Sequence, residues 1–164
     1  MDSTGEDSES PLIPRSSFRR KGRAATTTNG GPKTAEMLEE LSRYLIYLIH
    51  SNQLDDPAIS RHFSPILEAN WHCFPTTDGL HAFRSICKAL WSNNSNEPIG
   101  VSEMCAVAEE RKHTATVWVT MTAATVKVNS RQENVCKMDW QLGRKGWLCV
   151  RITNMRAPDF SGMF

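Results

Sequence analysis

Three side chains in the first half of the chain are of the types that move protons: Tyr44, Glu68 and His72. Histidine changes charge near neutral pH. It needs an orienting partner to work as an acid or base, and Glu68, four residues earlier, is the candidate. A tyrosine hydroxyl can donate a hydrogen bond to a ligand oxygen. The plainer reading of Tyr44 is a core tyrosine with its hydroxyl at a wet rim, and that of His72 is an ordinary edge histidine.

Other chemistries find less support. No two histidines sit at metal-ligand spacing on one helix, so no metal is expected. His50 falls near the end of the first helix, where it complements the helix dipole. His62 lies beside the apolar Phe63, while His81 and His113 read as solvated. The five cysteines (Cys73, Cys87, Cys105, Cys136 and Cys149) include no Cys-x-x-Cys and occupy apolar or strand-like stretches. They read as buried thiols of a reducing compartment.

The elements that must position these groups emerge from periodicity. Met37, Leu38, Leu41, Tyr44, Leu45, Leu48 and Ile49 recur at helical spacing after Thr34. Asp56-Pro57 reads as an N-cap and first turn of a short second helix, with Ile59 and Phe63 inward and Pro65 as its limit. Residues 66–74 form a short extended segment. Asp78 can cap a third helix carrying Leu80, Phe83, Ile86 and Leu90. Beyond the polar loop at 92–96 the pattern changes to strands over 99–108, 115–126, 135–142 and 147–155.

The last hairpin can be read to the level of register. A three-residue loop Arg144-Lys145-Gly146, with Gly146 left-handed, pairs Gly143 with Trp147. It follows that Leu142 faces Leu148, Trp140 faces Val150, Met138 faces Ile152 and Cys136 faces Asn154. These residues form an inner face over the helices. Asp139–Arg151 and Lys137–Thr153 form the outer one, as a half-solvated antiparallel sheet. Met138, Trp140 and Ile152 are candidate pocket walls, with Phe63 and Trp71 from the other side. Asn154 is a polar group on the inner face that must find a partner. Trp118 and Trp147 have outward parity.

The whole chain has 164 residues with formal net charge +1, which argues against broad electrostatic binding to nucleic acid. Hydrophobic residues at 40% permit one domain with a buried core. Residues 1–33 are rich in Ser, Thr, Gly and Pro and read as a disordered tail. The Arg19-Arg20-Lys21-Gly22-Arg23 cluster within it is either a nuclear address or simply solvated. The domain spans 34–160, and 161–164 is a short tail. No apolar run reaches the ~20 residues of a membrane span. The opening residues lack a signal-peptide pattern, which predicts a cytoplasmic protein, with the nucleus as the alternative.

The order helix, helix, short strand, helix, then four long strands closed by Arg144-Lys145-Gly146-Trp147-Leu148-Cys149-Val150 resembles the nuclear transport factor 2-like superfamily, in its SnoaL-like flavour. The resemblance implies an α+β cone. Three N-terminal helices would pack on a curved four- to five-stranded, mainly antiparallel sheet. It implies a pocket for a lipophilic, polyketide- or terpenoid-like molecule and cofactor-free isomerisation, cyclisation or dehydration. It also implies a homodimer through the outer sheet face.

Ketosteroid isomerases of this superfamily use a helix-one tyrosine, a strand acid and a carboxylate after helix two. Ser42-Arg43-Tyr44 is similar to the tyrosine segment, but the two acid positions fall near Trp71 and Met138. A shifted alignment brings in Glu68 or His72 as base. The alternative is a non-catalytic binding or dimerisation module for protein partners.

Overall fold

The computed structural model describes residues 32–71, 74–93, 99–125 and 130–156. The expected tails at 1–33 and 161–164, except for Pro32 and Lys33, lie outside the described residues, as does His72. Among the described residues no helix is long and apolar enough to cross a membrane.

Helix α1 (Pro32–His50) buries Leu38, Ser42, Leu45, Ile46 and Ile49, a stripe at three- and four-residue spacing. Helix α2 (Pro57–His62) starts as the sequence implies. Asp56 Oδ1 accepts from the backbone N–H of Ala58 at 2.8 Å, and Pro57 opens the first turn. Phe63 leaves the helix for strand β1 (Phe63–Trp71), which turns back as β2 (Phe74–Asp78). Gly79, at φ +93°, leads into helix α3 (Leu80–Asn93). Then come β3 (Ile99–Glu109), β4 (Thr114–Thr125), β5 (Ser130–Gly143) and β6 (Gly146–Arg156).

The strands form one mixed sheet in the order β2-β1-β6-β5-β4-β3. It has six strands, where the sequence suggested four or five. The difference is the β1–β2 hairpin: residues 63–65 read as the end of a helix, yet they continue a strand parallel to β6. Pro65 lacks an N–H, which suits a strand end and ends a helix equally well.

Inner-face rows cross the sheet in register: Ala69, Ile152, Met138, Val117 and Ala106; and beside them Cys149, Trp140, Ala115 and Ala108. The helices close this face into one apolar core, with the Phe63 and Phe83 rings 5.9 Å apart. Displaced residues in β3 and β6 interrupt the ladders. Such bulges bend strands and increase twist, which lets a sheet curl around its helices.

The β5–β6 hairpin corrects the expected register near its tip. Gly143 pairs with Gly146 across a two-residue loop, and Gly146 takes φ +116°. Leu142 then faces Trp147, and Trp140 faces Cys149. The extra residue appears further along, at Val150, so Asp139–Arg151, Met138–Ile152 and Cys136–Asn154 pair as the alternation requires. A one-residue change reverses side-chain facing. Cys149 is therefore inside, and Trp147 packs against the core although its expected parity was outward.

Candidate functional site

A small hollow lies between the helices and the inner sheet face. Ile46, Ile49 and His50 reach it from α1, and Phe83 from α3. Met121, Cys136, Met138, Ile152 and Asn154 form its sheet side. Its volume is about 20 Å³, against the ~300–1,000 Å³ usual for small-molecule sites.

Two polar groups stand in this apolar lining. Asn154 Oδ1 is buried and has no hydrogen-bond partner among the described residues. His50 is held neutral: burial pushes its imidazole down to about 4, because charging it would require desolvating the cation. Burial pushes the Cys136 thiol up to about 12, which makes it a poor nucleophile. Burial, and after it the nearby Cys136, raises the Cys149 thiol well above its ordinary value, and that thiol donates to the Arg151 carbonyl at 3.5 Å.

Two of the proton-moving residues, Tyr44 and Glu68, fall elsewhere. Tyr44 is 44% exposed, with Met37 and Tyr47, on the solvent side of α1. The buried stripe through Leu38, Ser42, Leu45 and Ile49 leaves position 44 outside it. Glu68 belongs to the outer sheet face, where its Oε2 accepts from Arg151 Nη2 at 3.0 Å. Neither lines the hollow.

The pocket walls divide. Met138, Ile152 and Asn154 line the hollow. Phe63 and Trp140 are buried in the core and do not line this hollow, and the Trp71 side chain lies outside the described residues. The sequence reading missed Ile46, Ile49, His50, Phe83 and Met121 as lining, whereas Cys136 lines the hollow from the inner face on which the alternation put it. His50 was detectable, since it shares a helix face with Ile46 at i, i+4. Among the described residues no cluster of three His, Cys, Asp or Glu side chains could hold a metal.

The outer face is ordered. Asn70, Thr153, Lys137, Trp118 and Cys105 form one register row, and Glu68, Arg151, Asp139, Thr116 and Val107 the next. Asp139 and Arg151 are register partners as expected, yet their charges pair elsewhere. Asp139 takes Lys137 at 3.1 Å and accepts from Thr116 Oγ1 at 3.0 Å, while Arg151 takes Glu68. Lys137 Nζ also lies 5.6 Å from the ring centre of Trp118, which is 39% exposed.

No protein-family model matches the chain, and no curated protein matches it in sequence. Solved structures do. The CaMKII hub of S. rosetta superposes with a TM-score of 0.61 at 16% identity, covering 79% of this chain and 100% of that one. An NTF2-like protein with a cystatin-like fold from Novosphingobium aromaticivorans gives 0.57 at 19%, over 78% and 84% of the two chains. An NTF2-like family protein from Streptomyces avermitilis, described as a candidate dehydratase, gives 0.62 at 11%, over 78% and 99%.

The chain has the NTF2-like fold. Within it, the helices cover one sheet face and Trp118 stands exposed on the other. An NTF2-like fold hosts unrelated functions, so its role must be argued from these two faces.

Proposed function

We propose that this NTF2-like chain is a non-catalytic self-association module whose outer sheet face pairs with a second copy. The observation that carries the reading is Trp118, 39% exposed on β4, on the sheet face turned away from the helices. Tryptophan and arginine are the residues that most often anchor interfaces, and this face offers Trp118 beside Arg151, Val107, Val135 and a half-exposed Met155. Its charges are already neutralised in the plane, Lys137 by Asp139 and Arg151 by Glu68. A two-fold contact sets the same patch against itself, and a patch with balanced charge meets no like-charge penalty there.

The inner face supports chemistry poorly. A cofactor-free isomerase, cyclase or dehydratase needs an acid and a base converging on substrate. Tyr44 and Glu68 lie on separate outer surfaces of the fold, and the hollow is too small for a polyketide or terpenoid. The match over the entire S. rosetta hub chain is in keeping with an association role.

Sedimentation velocity on the full chain, on Trp118→Asp and on Tyr47→Asp tests the reading. The parent and Tyr47→Asp sediment as dimers, whereas Trp118→Asp sediments as a monomer with an unchanged circular dichroism spectrum. A Trp118→Asp protein that sediments with the parent at every concentration would refute it.

A further inference from the structure

The outer side of α1 carries a stripe that neither the core nor the Trp118 face uses. Met37, Tyr44 and Tyr47 share one side of the helix, and Tyr47 is 59% exposed. Glu36 and Glu40 are exposed on the same side, nearer the helix start. Neither acid takes part in an ion pair among the described residues. We propose that this stripe is the docking surface of the chain's own N-terminal segment. Phe18 rests on Tyr44 and Tyr47, and the Arg19-Arg20-Lys21-Gly22-Arg23 cluster rests on Glu36 and Glu40.

The order of residues supports this occupant. Away from Pro32 toward the N-terminus, the segment presents its basic cluster, then Phe18, then Ile13 and Leu12. Away from Pro32 along α1, the stripe presents Glu36 and Glu40, then Tyr44 and Tyr47. A segment doubling back along the helix therefore sets bases on acids and apolar side chains on aromatic rings. Met37 lies among the acids and suits the alkyl stems of arginine and lysine.

The reach fits as well. At 1.5 Å per residue, Tyr47 lies roughly 22 Å along α1 from Pro32. Phe18 is about 14 residues from Pro32, and a glycine-containing coil of that length spans roughly 20 Å. A tether whose ordinary span matches the distance holds its end at an effective concentration on the order of mM. Weak contacts then suffice, and the available ones are favourable: guanidinium groups stack on tyrosine rings and fork onto carboxylates. Lys33 and Arg43 are also exposed, on the stripe and at its flank, and oppose the cluster. Docked, the cluster is neutralised on α1 and withdrawn from other anions. The contact is independent of self-association, because α1 packs on the sheet face opposite Trp118.

Trypsin cleavage within residues 15–23 of the full chain reads the undocked fraction. Substitutions on α1 leave the cleaved sequence intact, so a changed rate comes from docking. The parent is cut about fivefold more slowly than Tyr44→Ser with Tyr47→Ser, and than Glu36→Gln with Glu40→Gln. Arg43→Glu, which removes an opposing charge, is cut more slowly than the parent. Tenfold dilution leaves these ratios unchanged, since tether and surface belong to one chain. Circular dichroism checks that each variant is folded, and single substitutions replace a pair that is not. Equal rates in the parent and the folded variants overturn the proposal and leave the stripe bare or to a different partner. Protection lost on dilution also overturns it, because the occupant would then be another copy's segment.

Discussion

The imidazole of His50 shows how far position alters a residue's chemistry. In the sequence it reads as a cation at a helix end. In the structure it lines the hollow as a neutral ring, because Ile46 and Ile49 turn that face of α1 inward. Its folded pKa of about 4 lies below the ordinary 6.5. Above pH 6.5 both the folded and the unfolded chain hold it neutral, and stability is complete. Below that, the unfolded chain takes up the proton first, so stability falls until the pH passes about 4.

The loss through this one group is at most about 3 kcal/mol. Urea denaturation near pH 7 and near pH 5 should show a steeper acid loss for the parent than for His50→Phe. Equal losses would mean that the imidazole is solvated. Asn154 was legible from parity alone, because Cys136–Asn154 pairing follows from alternation. Tyr44 was not: seven apolar or aromatic positions recur along α1, and periodicity alone does not say which of them fall at the margin of the buried stripe.

At the scale of elements, local chemistry was easy to read and lateral partners were not. The Asp56–Pro57 helix start and the limits of β3, β4 and β6 to within a residue follow from capping and alternation, while β5 begins five residues earlier than its apolar pattern. An extended segment at 66–74 was legible, but its start at Phe63 and its division into β1 and β2 were not, since β1 is held by parallel pairing with β6, distant in sequence. The hairpin tip illustrates the same limit: the expected three-residue loop agreed with the alternation, yet the tip closes on two residues, and the displaced Val150 restores the expected pairing from Asp139–Arg151 onward.

Glu39 is a second case. Strand β3 is a sheet edge, and the backbone N–H of Ala106 donates to Glu39 Oε1 from α1 at 3.0 Å. A helix side chain thus occupies an edge donor that could otherwise pair with another strand. Glu39→Ala should lower unfolding stability by about 1–2 kcal/mol, and Glu39→Gln, which keeps an acceptor, should recover most of it. Chemical denaturation of the two variants distinguishes this capping from a generic charge effect, which both substitutions would produce alike.

For the whole molecule, the two-layer arrangement decides what function is left to argue. One sheet face packs into the core, and a small hollow lies beneath it among the described residues. The other presents Trp118 among charges that cancel locally. Outward parity at Trp118 was visible in the sequence. The sorting of Lys137, Asp139, Arg151 and Glu68 into two pairs was not, because β1 brings Glu68 to the sheet from far along the chain.

On the proposed reading, one chain is half of an assembly. Light scattering on the full chain, read across a dilution series, weighs that statement most directly. Association predicts a mass of twice the 18.5 kDa of one chain, falling toward one chain only on strong dilution. A mass of 18.5 kDa at every concentration would contradict it.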